Sequence, residues 1–185
     1  GWGEPLLNPN FLEFFKQISE YKPQIFVLTN GLLLNEEISL QLLEGGLAFL
    51  NFSFDSTTPE KYNKIRRGSD FHKVLKNIKT FVSLKKQLNL EKPYLRMVFV
   101  GMRENIEEFP KFVELAHELG MNEAKMVYMI AYGNDMEKQI LYHSKELTNA
   151  ILDKAGQRAK ELGIKLTIPD RFSKAIHETA HHKPC

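Results

Sequence analysis

The sequence predicts an α/β protein built around a mainly parallel sheet, and three observations support this fold class. Short apolar runs alternate along the chain with longer segments of helical periodicity. The runs are apolar on both faces, as is typical of strands in a parallel sheet. The intervening segments are long enough for the right-handed helical crossovers that join parallel strands.

Five apolar runs are expected to form the strands, at residues 24–29, 47–54, 95–100, 125–130 and 164–168. Several are followed directly by a residue that ends a strand. Asn30-Gly31 follows the first run, Asp55 the second and Pro169 the fifth. Because Asn, Asp, Gly and Pro favour turns, these positions are expected to mark the ends of the strands.

Capping residues and glycines predict where the intervening helices begin and end. Asn8, followed by Pro9, is expected to cap the first helix, and Asn35 the second. Further helices are expected to begin at Thr58, Ser69, Asn105 and Ser144, and the last of them to stop at Gly163.

Composition excludes several classes of function. The chain has 185 residues, with 25 Lys and Arg against 23 Asp and Glu, a formal net charge of +2. That balance does not favour a nucleic-acid or membrane partner, and no apolar run reaches the roughly 18 residues of a membrane span. We expect neither partner, and a cytoplasmic location. The one Cys, Cys185, cannot form an internal disulfide or complete a four-Cys metal site.

Polar residues at the ends of the predicted strands are the first candidates for a site. In a parallel sheet, ligands bind beyond the carboxyl ends of the strands. Thr29 and Asn30 follow the first strand, and Ser53 and Asp55 lie two apart at the end of the second. Alternation along a strand would point Ser53 and Asp55 to one face. The simpler alternative is that these residues only form turns or cap them.

The order of these short motifs resembles that of the radical S-adenosylmethionine (SAM) enzymes. A Gly-x-Gly-Glu-Pro loop opens the chain, Thr-Asn-Gly follows one strand, and Ser-x-Asp ends the next. The similarity continues through Ile65-Arg66 and Gly68 and through Asn105-Ile106-Glu107-Glu108, and it extends to about Ile130.

The resemblance implies a partial (β/α)6 barrel with a mainly parallel sheet, here without its first strands. It also implies two cofactors, SAM and a [4Fe–4S] cluster that cleaves SAM to a 5′-deoxyadenosyl radical, which takes a hydrogen from the substrate. Substrates in the family include peptides, proteins and small metabolites, so the substrate stays open. By position, the residues expected to bind SAM are Gly3, Glu4, Pro5, Thr29, Asn30, Ser53, Asp55 and Arg66.

The chain departs from the family pattern in its cysteines. The family places three cysteines, spaced C-x3-C-x2-C, after the first strand, and this chain has none there. Because it starts at Gly1 and stops at Cys185, we expect a piece of a longer enzyme, inactive alone and without a tightly bound cofactor. Residues 1–170 would form the partial core. Residues 171–185 would begin a SPASM-type extension, with Cys185 a candidate ligand of an auxiliary cluster.

Two other functions remain open at the level of sequence. The domain could be catalytically silent and bind a small molecule or a protein partner through the same strand ends. A remoter alternative is a zinc hydrolase, because His177-Glu178-x-x-His181 matches the H-E-x-x-H pattern. That chemistry needs a third ligand, and only four residues follow His181.

Overall fold

Five parallel strands form one open sheet whose spatial order is the order of the chain. The computed structural model describes residues 3–131 and 134–173. The strands are β1 (Phe26–Thr29), β2 (Phe49–Ser53), β3 (Tyr94–Gly101), β4 (Glu123–Tyr128) and β5 (Lys165–Thr167). The predicted fold class and strand order are confirmed. Among the described residues, β1 pairs only with β2, so its outer edge is unpaired.

Helices cover one face of this sheet. They are α1 (Phe11–Ser19), α2 (Glu36–Glu44), α3 (Pro59–Ile65), α4 (Phe71–Gln87), α5 (Phe109–Glu118), α6 (Asn134–Glu137) and α7 (Lys145–Leu162). Alternate residues of β3 point into the core against the helices, and Leu95, Met97 and Phe99 are buried there. The intervening Arg96 and Val98 lie on the opposite face, which we call the open face. None of the described helices is both long and apolar enough to cross a membrane.

The helix caps confirm some predictions and correct others. Asn35 caps α2 by accepting a hydrogen bond from the Ile38 amide, and Gly163 ends α7 in the left-handed region at φ 69°. Asn8 was expected to cap the first helix, but α1 begins only at Phe11, because residues 5–7 form a 3₁₀ turn first. At α4 the cap is Asp70 rather than Ser69, with the Asp70 carboxylate accepting from the Lys73 amide.

The strands differ from the predicted runs mainly at β4. The apolar pattern placed this strand at 125–130, whereas it spans Glu123–Tyr128. The strand therefore opens with a charged residue, Glu123. In the structure, Arg96 of β3 lies beside Glu123 in register and donates a hydrogen bond to its carboxylate. A neighbour from another strand therefore allows a charged residue to open a buried strand.

The buried Asn105 side chain joins the ends of β2 and β3. Its amide nitrogen donates to the carbonyl oxygens of Asp55 (2.9 Å) and Val100 (3.0 Å). Its amide oxygen accepts from the Met102 N–H at 2.7 Å. Asn105 was expected to open a helix directly, but a 3₁₀ turn (Ile106–Glu108) comes before α5. Through these three hydrogen bonds, Asn105 fixes the separation between the ends of β2 and β3.

Replacing Asn105 by Ala is therefore expected to cost much stability. Three backbone groups, two of them buried, lose the Asn105 side chain as a partner, which should lower the free energy of unfolding by about 2–4 kcal/mol. Urea unfolding followed by circular dichroism measures this change. Asn10→Ala is the matched control, because the exposed Asn10 makes no capping bond and its replacement should change stability by less than about 0.5 kcal/mol. Equal effects of the two substitutions would contradict the role of Asn105.

Candidate functional site

The Glu4 carboxylate ties the opening loop to the end of β1. One oxygen, Oε2, accepts a hydrogen bond from the backbone N–H of Asn30 at 2.6 Å. The other, Oε1, accepts the Thr29 hydroxyl at 2.7 Å and the Leu6 amide at 3.3 Å. The sequence-predicted residues Glu4, Thr29 and Asn30 are therefore brought together in the structure. Glu4 therefore holds the loop at residues 3–5 against the end of β1.

The turn after β1 is fixed by its own side chains. The Thr29 hydroxyl accepts the Gly31 amide at 3.0 Å, and the Asn30 side-chain oxygen accepts the Leu32 amide at 2.9 Å. From α4, the Asn77 amide donates to the carbonyls of Gly31 and Leu32. Gly31 has φ 75°, and a Cβ there would lie 3.2 Å from a Val74 methyl group, so the turn requires glycine.

Asp55 is buried just beyond the end of β2, and both carboxylate oxygens have partners. Oδ1 accepts the Val100 amide of β3 at 2.9 Å, and Oδ2 pairs with the Arg66 guanidinium at 2.6 Å. Burial raises the pKa of Asp55 above its usual range, an effect that Arg66 and the Val100 N–H only partly offset. The carboxylate therefore anchors Arg66 rather than standing free at the strand end.

Arg66 lines a cavity of about 440 Å³ at the carboxyl ends of β1 and β2. The cavity is also lined by Asn30, Asp55, Arg67, Gly68 and Ser69. Only one side of the guanidinium is used by Asp55, and the buried Nε has no hydrogen-bond partner among the described residues. The Arg66 side chain is 20% exposed, so its guanidinium can donate to a ligand in the cavity, and a cation in this position favours an anionic ligand.

The remaining predicted residues lie near this cavity or outside the described part of the chain. Gly3, Glu4 and Pro5 line a second cavity of about 430 Å³ beside β1, which the Glu4 to Asn30 bond links to the first. Ser53 is half-buried at the end of β2. Cys185 and the residues His177, Glu178 and His181 lie outside the described residues. Within the described ranges, no three His, Cys, Asp or Glu residues form a cluster able to hold a metal ion.

A charged cluster on the open face was not predicted from the sequence. The Glu123 side chain is 1% exposed and accepts hydrogen bonds from the Arg96 guanidinium at 2.9 Å and from the Tyr94 hydroxyl at 3.0 Å. The Lys165 ammonium lies 3.5 Å from the same carboxylate. These residues come from three strands, so no local motif reveals them. The available signal was Arg96, a cation inside an otherwise apolar strand.

Positive charge exceeds negative charge in this part of the open face. Arg96, Lys125 and Lys165 share it with one acid, Glu123. Burial raises the pKa of Glu123, but hydrogen bonds from Arg96, Thr167 and Tyr94 outweigh burial and hold that pKa below its usual 4.5. The carboxylate is therefore ionised at neutral pH, and it balances only one of the three cations.

Two buried polar atoms on neighbouring strands of this face lack partners. Asn51 of β2 and Arg96 of β3 are register neighbours. The Asn51 side-chain oxygen and the Arg96 Nε have no hydrogen-bond partner among the described residues. The acceptor and donor capacity left on this face suits a polar ligand rather than an apolar one.

Comparison with known proteins connects this arrangement to one family. Residues 1–116 match the family model described as Radical SAM superfamily. The chain is 29% identical over 154 residues to a probable GTP 3',8-cyclase of Methanocaldococcus jannaschii, covering 83% of this chain and 49% of the relative. It is 36% identical over 115 residues to a GTP 3',8-cyclase of Alkaliphilus oremlandii, covering 61% and 34%. The chain thus spans half or less of these relatives.

Solved structures share the fold. The crystal structure of Streptococcus suis SuiB bound to S-adenosylmethionine superposes with a TM-score of 0.72 at 13% identity, covering 90% of this chain and 37% of that one. Native anSMEcpe with bound AdoMet gives a TM-score of 0.67 at 18% identity, covering 90% and 47%. At these identities the similarity concerns the fold alone.

Removing the charge of Glu123 should destabilise the fold in a pH-dependent way. A carboxylate with a lowered pKa stabilises the folded state above pH 4.5, and this contribution disappears as pH falls through the folded-state pKa. Glu123→Gln should therefore lower the free energy of unfolding by roughly 2–3 kcal/mol at pH 7, and by less near pH 3. Urea unfolding at both pH values measures the difference. Exposed Glu118→Gln is the control, and a pH-independent loss in Glu123→Gln would contradict the electrostatic role.

Proposed function

Because the chain belongs to the radical SAM superfamily, we propose that it is part of a radical SAM enzyme and binds SAM at the carboxyl ends of β1 and β2. The superfamily uses SAM together with a [4Fe–4S] cluster. The observation that supports this site is the Arg66 guanidinium, which lines the cavity, is 20% exposed and contacts Asp55 through Nη2. A carboxylate such as that of the methionyl group can accept hydrogen bonds from its exposed N–H groups.

Each of the other proposed SAM residues has a part in this site. Asp55 orients Arg66 through their 2.6 Å ion pair. Asn30 lines the same cavity, Thr29 and Glu4 hold Asn30 in place, and Ser53 adds a hydroxyl at the end of β2. Gly3 and Pro5 line the neighbouring cavity, where loop carbonyls and the Glu4 carboxylate could accept hydrogen bonds from an ammonium group.

The residues of this chain fit SAM but do not supply a cluster. A site-differentiated [4Fe–4S] cluster needs three thiolates, and the sequence contains one Cys. The proposal therefore assigns the three thiolates to residues outside this sequence, and no reductive step is derived from this chain. The cluster, when bound, supplies the electron that cleaves SAM. The residues described here bind and orient the methionyl end of SAM.

The assignment of residues 1–170 as the core and 171–185 as the start of a SPASM-like extension remains a proposal. Its boundary has one structural reference point. The Phe172 ring stacks on Tyr128 with centroids 4.8 Å apart, and Asn149 hydrogen-bonds both the N–H and the C=O of Phe172. Phe172 therefore packs with the core, and we place the start of an extension after it. The candidate cluster ligand Cys185 would belong to that extension.

For the substrate, we propose a small anionic molecule, with GTP as the first compound to test. The relatives named GTP 3',8-cyclase suggest the compound, and Arg96, Lys125 and Lys165 on the open face suit a polyphosphate. A peptide or protein substrate is the alternative. The silent-domain reading predicts that the complete protein binds small molecules without ever forming 5′-deoxyadenosine.

The test of SAM binding compares two arginines. In the complete protein with its cluster reconstituted, Arg66→Ala should weaken SAM binding about 10- to 100-fold, because a charge-assisted bond is lost. Iron and sulfide content should not change. Asp55→Ala should weaken binding in the same direction. Arg103→Ala is the control, because exposed Arg103 lines a different cavity and does not pair with Asp55. Equal binding by Arg66→Ala and Arg103→Ala would contradict the proposed site.

The chain described here should bind SAM only weakly without a cluster. The remaining contacts are a few hydrogen bonds worth roughly 1 kcal/mol each, which suggests a dissociation constant of about 1 mM. Anaerobic reconstitution of this chain should yield neither a cluster nor 5′-deoxyadenosine. Iron and sulfide analysis and chromatography test this expectation, and a brown, SAM-cleaving preparation would contradict the thiolate count.

The substrate proposal is tested on the open face. Lys125→Met should weaken GTP binding to the complete protein about tenfold while SAM affinity stays unchanged, because one unbalanced cation is lost. Isothermal titration calorimetry measures both affinities. Lys160→Met, on the exposed surface of α7, is the control for charge alone. If wild-type protein binds no nucleoside triphosphate but binds SAM, the substrate proposal is wrong and the SAM site stands.

A further inference from the structure

A third buried carboxylate, Glu108, holds the loop that carries the chain from Asp55 into α3. Its Oε2 accepts the Ser56 hydroxyl at 2.7 Å, the Thr57 amide at 2.6 Å and the Thr57 hydroxyl at 3.1 Å. Its Oε1 pairs with Lys61 of α3 at 2.6 Å. One side chain therefore fixes both the loop at 56–58 and the first turns of the helix.

The helix that Glu108 holds ends at Arg66. Arg66 is the C-cap of α3, and its N–H donates to the Tyr62 carbonyl at 2.8 Å. The buried Tyr62 ring packs against Phe54 and Phe71, so it fixes one point of the helix in the core. Asn63 of α3 also accepts a hydrogen bond from the Phe71 N–H at 3.0 Å, so these contacts hold the helix on the side of α4. The Glu108 to Lys61 pair supplies a second point on the turn after β3.

We infer that Glu108 is a positioning residue for Arg66: it sets the orientation of α3 and thereby aims the guanidinium into the 440 Å³ cavity. This inference rests on the proposed role of Arg66 in binding SAM. Glu108 touches neither the cavity lining nor Arg66, so its effect on the ligand passes through the loop and the helix. Together with Asn105, it makes the turn after β3 the support of the site.

The charge of Glu108 is maintained by its partners. Burial raises the pKa of Glu108, but the bonds from Lys61, Ser56 and the Thr57 amide outweigh burial and lower that pKa below its usual 4.5. A neutral glutamine can still accept from Thr57 and Ser56 but cannot pair with Lys61. The substitution Glu108→Gln therefore separates the hold on α3 from the hold on the loop.

The same two elements carry a natural control pair. Lys64 of α3 contacts Glu104 at 2.8 Å, and Lys64 is 73% exposed whereas Lys61 is 33% exposed. Both pairs join α3 to the segment after β3. Exposed ion pairs contribute little to structure, so loss of the Lys64 pair should leave the helix where it is.

The experiment measures SAM binding and turnover in the complete, cluster-reconstituted protein for Lys61→Met, Lys64→Met, Glu108→Gln and Lys61→Arg. Lys61→Met and Glu108→Gln should weaken SAM binding about fivefold or more and raise KM for SAM while kcat changes less than twofold. Lys64→Met should change neither SAM affinity nor KM by more than twofold. Lys61→Arg should bind SAM like the wild type because it keeps the ion pair with Glu108. All affinities are measured at temperatures where thermal melts show each variant folded.

Each outcome bears on one claim. If Arg66→Ala weakens SAM binding but Lys61→Met and Glu108→Gln do not, the positioning role is wrong while the proposed function stands. If Arg66→Ala itself has no effect, the proposed SAM site fails first. A loss of stability without a change in the dissociation constant or KM would show that Glu108 is merely structural. If Glu108→Gln fails to fold, the comparison of Lys61→Met with Lys64→Met decides alone.

Discussion

The buried Asp55 carboxylate is the interaction on which the site depends. It lies where parallel strands end, and a charge in that position needs partners because burial without them is costly. Its partners are the Val100 amide of β3 and the Arg66 guanidinium, so one side chain joins two strands to the end of α3. Asn105 joins the same strands from below. Arg66 is thereby held by one side while its other side remains available.

The side chains on the open face of the sheet change along the strands, from aromatic near the amino ends to charged and polar towards the carboxyl ends. Near the amino ends, Phe26 and Phe49 stack with centroids 4.2 Å apart, and Tyr94 continues the row at 5.7 Å from Phe49. The charged cluster around Glu123 adjoins this row, and the turns and cavity lie at the carboxyl ends. A molecule entering from the carboxyl ends would therefore contact Arg66 first, then the cations around Glu123, and finally the row of aromatic rings. This order agrees with the proposal that the protein binds SAM at the strand ends and an anionic substrate on the open face.

Topology explains which parts of the site the sequence predicted. Asn30 and Asp55 were identifiable because the ends of parallel strands must share one edge, whatever the side chains do. Contacts between residues distant in sequence could not be predicted, because no short motif joins Arg96 to Glu123 or Glu108 to Thr57. Neighbouring residues of similar capping ability, such as Ser69 and Asp70, also cannot be separated by propensity alone. The predicted ammonium-binding role of Glu4 stays a prediction, and its bonds to Thr29 and Asn30 required the structure.

A crystal structure of the complete protein with SAM bound is the most direct test of the role of Arg66. We expect a methionyl carboxylate oxygen about 2.7–3.0 Å from the Arg66 guanidinium, on the side that Asp55 leaves open. The Asp55 to Arg66 pair should persist in that complex. A carboxylate bound elsewhere, with Arg66 contacting Asp55 alone, would contradict this role.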